Sequence, residues 1–150
     1  MIIESFTKIF ERDILKIAAE LNQYSDEKLI WTKQGLVSNS SGNLALHLIG
    51  NLNHFIGFAL GNTGYVRTRD LEFSTTFRSR DEVIKNLHDT ISVVKISLGK
   101  INDDNLNSIF PLEYNGEKVT IAHMLMHLLT HLNYHVGQIN YHRRMIGAAS

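Results

Sequence analysis

The sequence has no cysteine, which excludes disulfides, thiolate nucleophiles and thiolate metal ligands together. Any metal must then be held by nitrogen and oxygen, and any thiol chemistry needs a thiol brought from outside. There is one proline, Pro111, and no low-complexity run, so little stands in the way of helix formation. Neither charge is in excess: 15 basic residues face 15 acidic ones. Without a basic stripe to neutralise phosphates, nucleic acid is not an expected partner. No apolar run reaches the roughly 18 residues of a membrane span, so no membrane association is expected. The start, MIIESFTKIFERD, carries acids early instead of the basic-then-apolar order of a secretory signal. The expectation is a cytoplasmic protein forming a single domain over residues 1–150. A chain of that length buries roughly two-thirds of the surface its unfolded form exposes.

Apolar residues recur at helical spacing in four long segments. From Ile3 to Tyr24 the stripe is Ile3, Phe6, Phe10, Ile14, Ile17, Leu21 and Tyr24, in three- and four-residue steps that keep one face toward a partner. Ser25 followed by Asp26 and Glu27 predicts a capped short turn through Trp31. The polar loop Gly35–Gly42 offers caps for a second helix over Asn43–Leu60. Its apolar face is Leu44, Ala45, Leu48, Leu52, Phe55, Ile56 and Ala59. Gly61-Asn62-Thr63-Gly64 stops it. A charged loop, Tyr65–Arg78, precedes Ser79-Arg80-Asp81-Glu82, whose Ser and Glu have capping-box spacing. The third seam then runs Ile84, Leu87, Ile91, Val94, Leu98, Ile101. Asn115-Gly116 predicts a tight turn, as in a small hairpin, before the last helix, Thr120–Ile146. The predicted class is all-α: a four-helix bundle with a short extra helix and an elaborated loop between helices 2 and 3.

Five of the eight histidines lie in that last helix, and His123, His127, His131 and His135 recur at every fourth residue. Residues four apart sit one turn above each other, and neutral imidazole is the commonest side-chain ligand for a transition metal. Each step drifts by about 40° at 100° per residue. His135 then lies about 60° and His131 about 100° from the centre of the apolar face, while His127 and His123 turn toward solvent. His142 returns to nearly the angle of His135. The best pair is His131 with His135, and a third ligand is expected from the facing second helix. There His47, Asn51 and His54 line the edge of the apolar face, with His47 and His54 as rivals. Three imidazoles and one open position is the pattern of a catalytic zinc-type centre. No Asp or Glu shares the histidine faces of either helix, so no general base is evident.

The stretch LTHLNYHVGQI at Leu129–Ile139 resembles the last-helix signature of the DinB-like superfamily, H-x-x-x-H followed by a small residue and Gln. HLIGN at His47–Asn51 and RTRDLEF at Arg67–Phe73 resemble its DUF1572 subgroup. The resemblance implies a DinB/YfiT-like four-helix bundle, commonly a homodimer, holding a divalent metal with one histidine from the second helix and two from the last. Position by position these are His47, His131 and His135. It further implies metal-dependent transfer or isomerisation with a low-molecular-weight thiol such as bacillithiol or mycothiol, acting on a small-molecule substrate. Asn51 and Gln138 are then expected to hydrogen-bond around the ligands, His54 and His142 to stand at the rim, and Arg67 and Arg69 to contact an anionic substrate or the dimer partner. Zinc, nickel, iron and manganese all suit three imidazoles. The alternative is a bundle that binds a metal or small ligand without catalysing a reaction.

Overall fold

A computed structural model describes residues 1–147. Among them the chain is all-helical. Five α-helices follow one another: α1 (Ile2–Asn22), α2 (Ser41–Leu52), α3 (Arg69–Ser74), α4 (Arg80–Leu98) and α5 (Ile121–Gly147). Helix α1 packs on α4 and α5, and α2 packs on the same two. This arrangement of the four long helices is compatible with the expected bundle. None of them is long and apolar enough to cross a membrane.

The predicted stripes form the core. All seven residues of the first stripe are buried, Tyr24 just past the end of α1 included, as are Leu44, Ala45, Leu48, Leu52 and Ile56 from the second segment. In α4 the inward face is shifted slightly from the seam read in sequence. Val83 is buried while Ile84 is only partly so, and Leu87, Ile91, Val94 and Leu98 follow. Helix α5 turns Ile121, Met124, Leu125, Leu128, Leu132, Val136 and Ile139 inward.

Two local readings need correction. The short turn is a 3-10 helix, Glu27–Trp31, and its N-cap is Asp26 rather than Ser25: the Asp26 carboxylate accepts from the Lys28 N–H. The second helix does not run straight to Leu60. It passes into a π-helical segment, Asn53–Phe58, with five-residue bonds from Ala59 N to His54 O and from Gly61 N to Ile56 O. A π turn rotates every later residue relative to a straight α-helix, so wheel positions beyond Asn53 shift. Past its end the chain turns away, with φ 54° at Asn62 and φ 75° at Gly64.

The loop between the second and third long helices contains α3, and its attachment is specific. Ser40 caps α2 by accepting from Asn43 N–H. The buried Asn43 amide donates to the carbonyls of Glu72 (3.0 Å) and Thr75 (2.7 Å). One asparagine in the first turn of α2 thereby pins α3 against that helix. Before α5 the expected turn forms as isolated bridges, Ile109 with Thr120 and Tyr114 with Glu117, around positive φ at Asn115 and Gly116.

Candidate metal centre

His47, from the middle of α2, meets His131 and His135 of α5. One ring nitrogen from each lies within 4.8 Å of the others. His131 Nε2 is 3.1 Å from His47 Nε2 and 3.2 Å from His135 Nε2. For ligand bonds of 2.0–2.1 Å in tetrahedral geometry, neighbouring nitrogens stand roughly 3.3 Å apart, so the spacing already suits a shared cation.

The outward nitrogens explain which way each ring faces. His47 Nδ1 lies 3.0 Å from Glu72 Oε1. The carboxylate can only accept, and the Arg67 Nη2 that lies 3.3 Å from the same nitrogen already donates to Glu72 Oε1 at 2.8 Å, so the proton is assigned to Nδ1, which leaves a lone pair on Nε2. His135 Nδ1 lies 2.6 Å from Gln138 Oε1 and by the same logic donates, again freeing Nε2. Both are the carboxylate– or amide–histidine arrangements that orient metal ligands. His131 has no such partner: its Nδ1 is buried and without a hydrogen bond. Whichever nitrogen of His131 holds its proton, the cluster is under-satisfied. With the proton on Nε2, a buried acceptor is left at Nδ1. With it on Nδ1, three lone pairs converge. A buried polar atom left unpaired costs about 1–3 kcal/mol, and a cation at the convergence point removes the conflict. The residues present therefore fit a divalent transition metal.

Glu72 is the residue that the sequence reading missed. It is buried at 6% exposure. Arg67 grips it in a two-pronged fork, Nε to Oε2 and Nη2 to Oε1, each at 2.8 Å. Burial alone would raise its pKa, but the Arg67 guanidinium and His47 outweigh that and hold the carboxyl below its usual range. Room for it comes from Gly50, one turn after His47, where a Cβ would stand 1.9 Å from Glu72 Oε2. On the far side of the His47 ring lies Phe73, 4.9 Å between ring centroids, and Arg69 covers Phe73 at 5.1 Å. The loop charges thus divide. Arg67 is committed to Glu72 behind the ligand, and Arg69 stacks on an aromatic.

The remaining candidates fall outside the trio. His54 stacks flat on Phe58 at 5.7 Å, at the start of the π turn, and is not one of the trio. His142 is buried with both nitrogens engaged: Nε2 donates to the Thr32 carbonyl (2.7 Å), and Nδ1 meets the Tyr24 hydroxyl (2.6 Å). Asn51 is buried, and its Oδ1 has no partner. His127 stacks on His131 and packs tilted against Tyr114, and His123 is exposed.

Burial, reinforced by the neighbouring imidazoles, pushes His131 down to about 4. Burial lowers His54, His127, His135 and His142 as well. The unfolded chain titrates these rings near 6.5 and therefore binds more protons than the folded one below that pH. Their contribution is fully present above about 6.5 and is lost as pH falls, down to about 4 for His131. The metal-stripped protein should melt several degrees lower at pH 5 than at pH 7.5, in scans at constant ionic strength. A flat or opposite slope would contradict these buried neutral rings.

A family model described as "Protein of unknown function (DUF1572)" matches residues 3–150. No curated protein and no solved structure matches the chain. The chain belongs to the DUF1572 family.

Proposed function

We propose that this DUF1572 protein binds one divalent transition metal through His47, His131 and His135 and uses it to activate a low-molecular-weight thiol for transfer to a second small molecule. The observation that supports this best is the convergence of three Nε2 atoms whose rings are held from behind by Glu72 and Gln138. The DinB-like four-helix bundle, the bacillithiol or mycothiol identity of the thiol and a homodimeric state belong to the same proposal.

A bound divalent cation would supply positive charge that lowers the pKa of a thiol or water sharing its coordination. The chain's own residues do the rest. Glu72 fixes the His47 tautomer, Gln138 fixes that of His135, and α3 with Phe73 covers one side of the centre. Glu72 is a poor general base: three hydrogen bonds, two from Arg67 and one from His47, hold its charged form and keep its pKa below the usual carboxylate range. Water attack promoted by a nearby base is therefore poorly served. A thiol needs less help: its ordinary pKa of about 8.5 is close enough to neutrality that charge alone suffices. Its proton leaves to solvent, sulfur bonds to an electrophilic carbon, and the leaving group departs with its electron pair. The same lack of a free base supports a second reading, a site that holds metal without turnover.

Elemental analysis of protein prepared without a histidine tag is expected to give one transition metal per chain. Cobalt(II) reconstitution should give the strong visible bands of a four-coordinate centre. Absence of stoichiometric metal would end both readings. Conjugation of an electrophile with bacillithiol, lost on metal removal and restored on reloading, separates catalysis from mere binding.

A further inference from the structure

A cleft of about 700 Å³ opens between α5 and the loop that precedes α2. Leu36, Val37 and Leu44 line it from one side, and Tyr134, Tyr141 and Met145 from α5. His135 and Gln138 line it too, so the cleft shares a wall with the three-histidine centre. Its size is that of a small-molecule site. None of its lining residues is Asp, Glu, Lys or Arg. A polyanion, such as a nucleotide or sugar phosphate, would lose its hydration there without gaining an ion pair. Tyr134 and Tyr141, seven residues apart and so on one face of the helix, offer flat apolar surface with polar tips. The Tyr134 hydroxyl accepts from Gln138 Nε2 at 3.2 Å while Gln138 Oε1 faces His135 Nδ1. One wall of the cleft is thus hydrogen-bonded directly to a candidate ligand of the metal.

We infer that this cleft seats the second reactant, and that the portion of the reactant lying in it is an uncharged, ring-bearing apolar group. The inference rests on the proposed metal centre for where reaction occurs, but not for binding. Two features favour a small molecule over a second protein copy. The surface is concave, and it ends at the one cluster among the described residues able to hold a metal ion.

The test uses N-phenyl-1-naphthylamine, an uncharged fluorescent probe, with the full-length chain. Saturable binding at one probe per chain is expected, with and without zinc. Ser38→Trp, which fills the cleft from an exposed loop position, and Tyr141→Ala, which strips its wall, should each weaken binding at least tenfold while metal content stays at the wild-type value. On zinc-stripped protein, 8-anilino-1-naphthalenesulfonate, the same molecule bearing one sulfonate, should bind at least tenfold more weakly than the uncharged probe. Unsaturable binding, or wild-type binding by both variants, overturns the site. Tighter binding of the sulfonate overturns the uncharged class. Light scattering run alongside decides the remaining occupant: a wild-type dimer that ignores the probe and is split by Ser38→Trp would make this face a self-association surface. Probe binding without stoichiometric metal would leave the cleft standing and remove the metal centre.

Discussion

Replacing His131 with alanine is expected to weaken zinc binding by roughly 10²–10³-fold. A structural zinc site of four ligands is worth about 10–16 kcal/mol, or about 2.5–4 kcal/mol for each ligand. His131 is the ring that both others face, at 3.1 and 3.2 Å, so its loss leaves His47 and His135 without a common neighbour. The effect on the apo protein should be small. His131 Nδ1 is a buried atom with no partner, and deleting the ring removes that cost together with the crowding of lone pairs. The metal-free variant is therefore expected to melt close to the wild type even though it gains a small cavity. The difference appears on adding metal. At a free concentration of about 1,000 times Kd, binding stabilises the folded state by about 4 kcal/mol. For a chain of this size that is roughly a 10 °C rise, and the variant should lose most of it. His123→Ala is the control: its ring is exposed and outside the trio, so neither affinity nor the zinc-dependent shift should change. Comparable losses from both substitutions would mean that the ladder binds metal loosely along its length, not at one centre.

That contrast between rungs was legible in the sequence because α5 is a regular helix. Its 100° step holds from Ile121 onward, and the buried Leu125, Leu128, Leu132 and Ile139 fix the inward direction from which each histidine's angle is measured. The second helix allowed less. Residues up to Asn51 obey the same wheel, and His47 falls on the expected edge, but His54 lies in the π turn at Asn53–Phe58 and stacks on the Phe58 ring. Nothing in NHFIGF announces a five-residue bond, so the rivalry between His47 and His54 could not be settled by angle. Glu72 was invisible for another reason. It belongs to a six-residue helix too short to show a periodicity, and its position depends on a tertiary tether, Asn43 to the carbonyls of Glu72 and Thr75. The available signal was compositional: RTRDLEF sets an acid five residues after Arg67, and the glycine in HLIGN leaves a notch one turn from His47. Joining the two requires knowing that α3 folds back over α2.

Glu72 is where the second large effect is expected. Glu72→Ala removes the acceptor of His47 Nδ1 and the counter-charge of Arg67, whose side chain is only 12% exposed. An uncompensated charge at such depth typically costs about 3–5 kcal/mol, which Arg67 can reduce by turning outward. The folded state should survive but melt several degrees lower. Glu72→Gln separates positioning from stability. Glutamine keeps an oxygen that His47 can donate to, but it loses the charge that makes the Arg67 fork strong and the basicity it lends the ring. Zinc affinity should fall about 10–100-fold, with a smaller loss of stability than in the alanine variant. Arg67→Leu combined with Glu72→Leu restores a neutral pocket and should recover melting temperature but not affinity, a separation that a merely structural role for Glu72 would not produce. Gly50→Ala reaches the same outcome with every polar group intact. Its Cβ would stand 1.9 Å from Glu72 Oε2, and in the middle of a packed helix the backbone yields less easily than the carboxylate. Glu72 must therefore leave His47, even though alanine is intrinsically the better helix former by about 1 kcal/mol. A Gly50→Ala protein that bound zinc like the wild type would show that the carboxylate behind His47 has no hold on the metal.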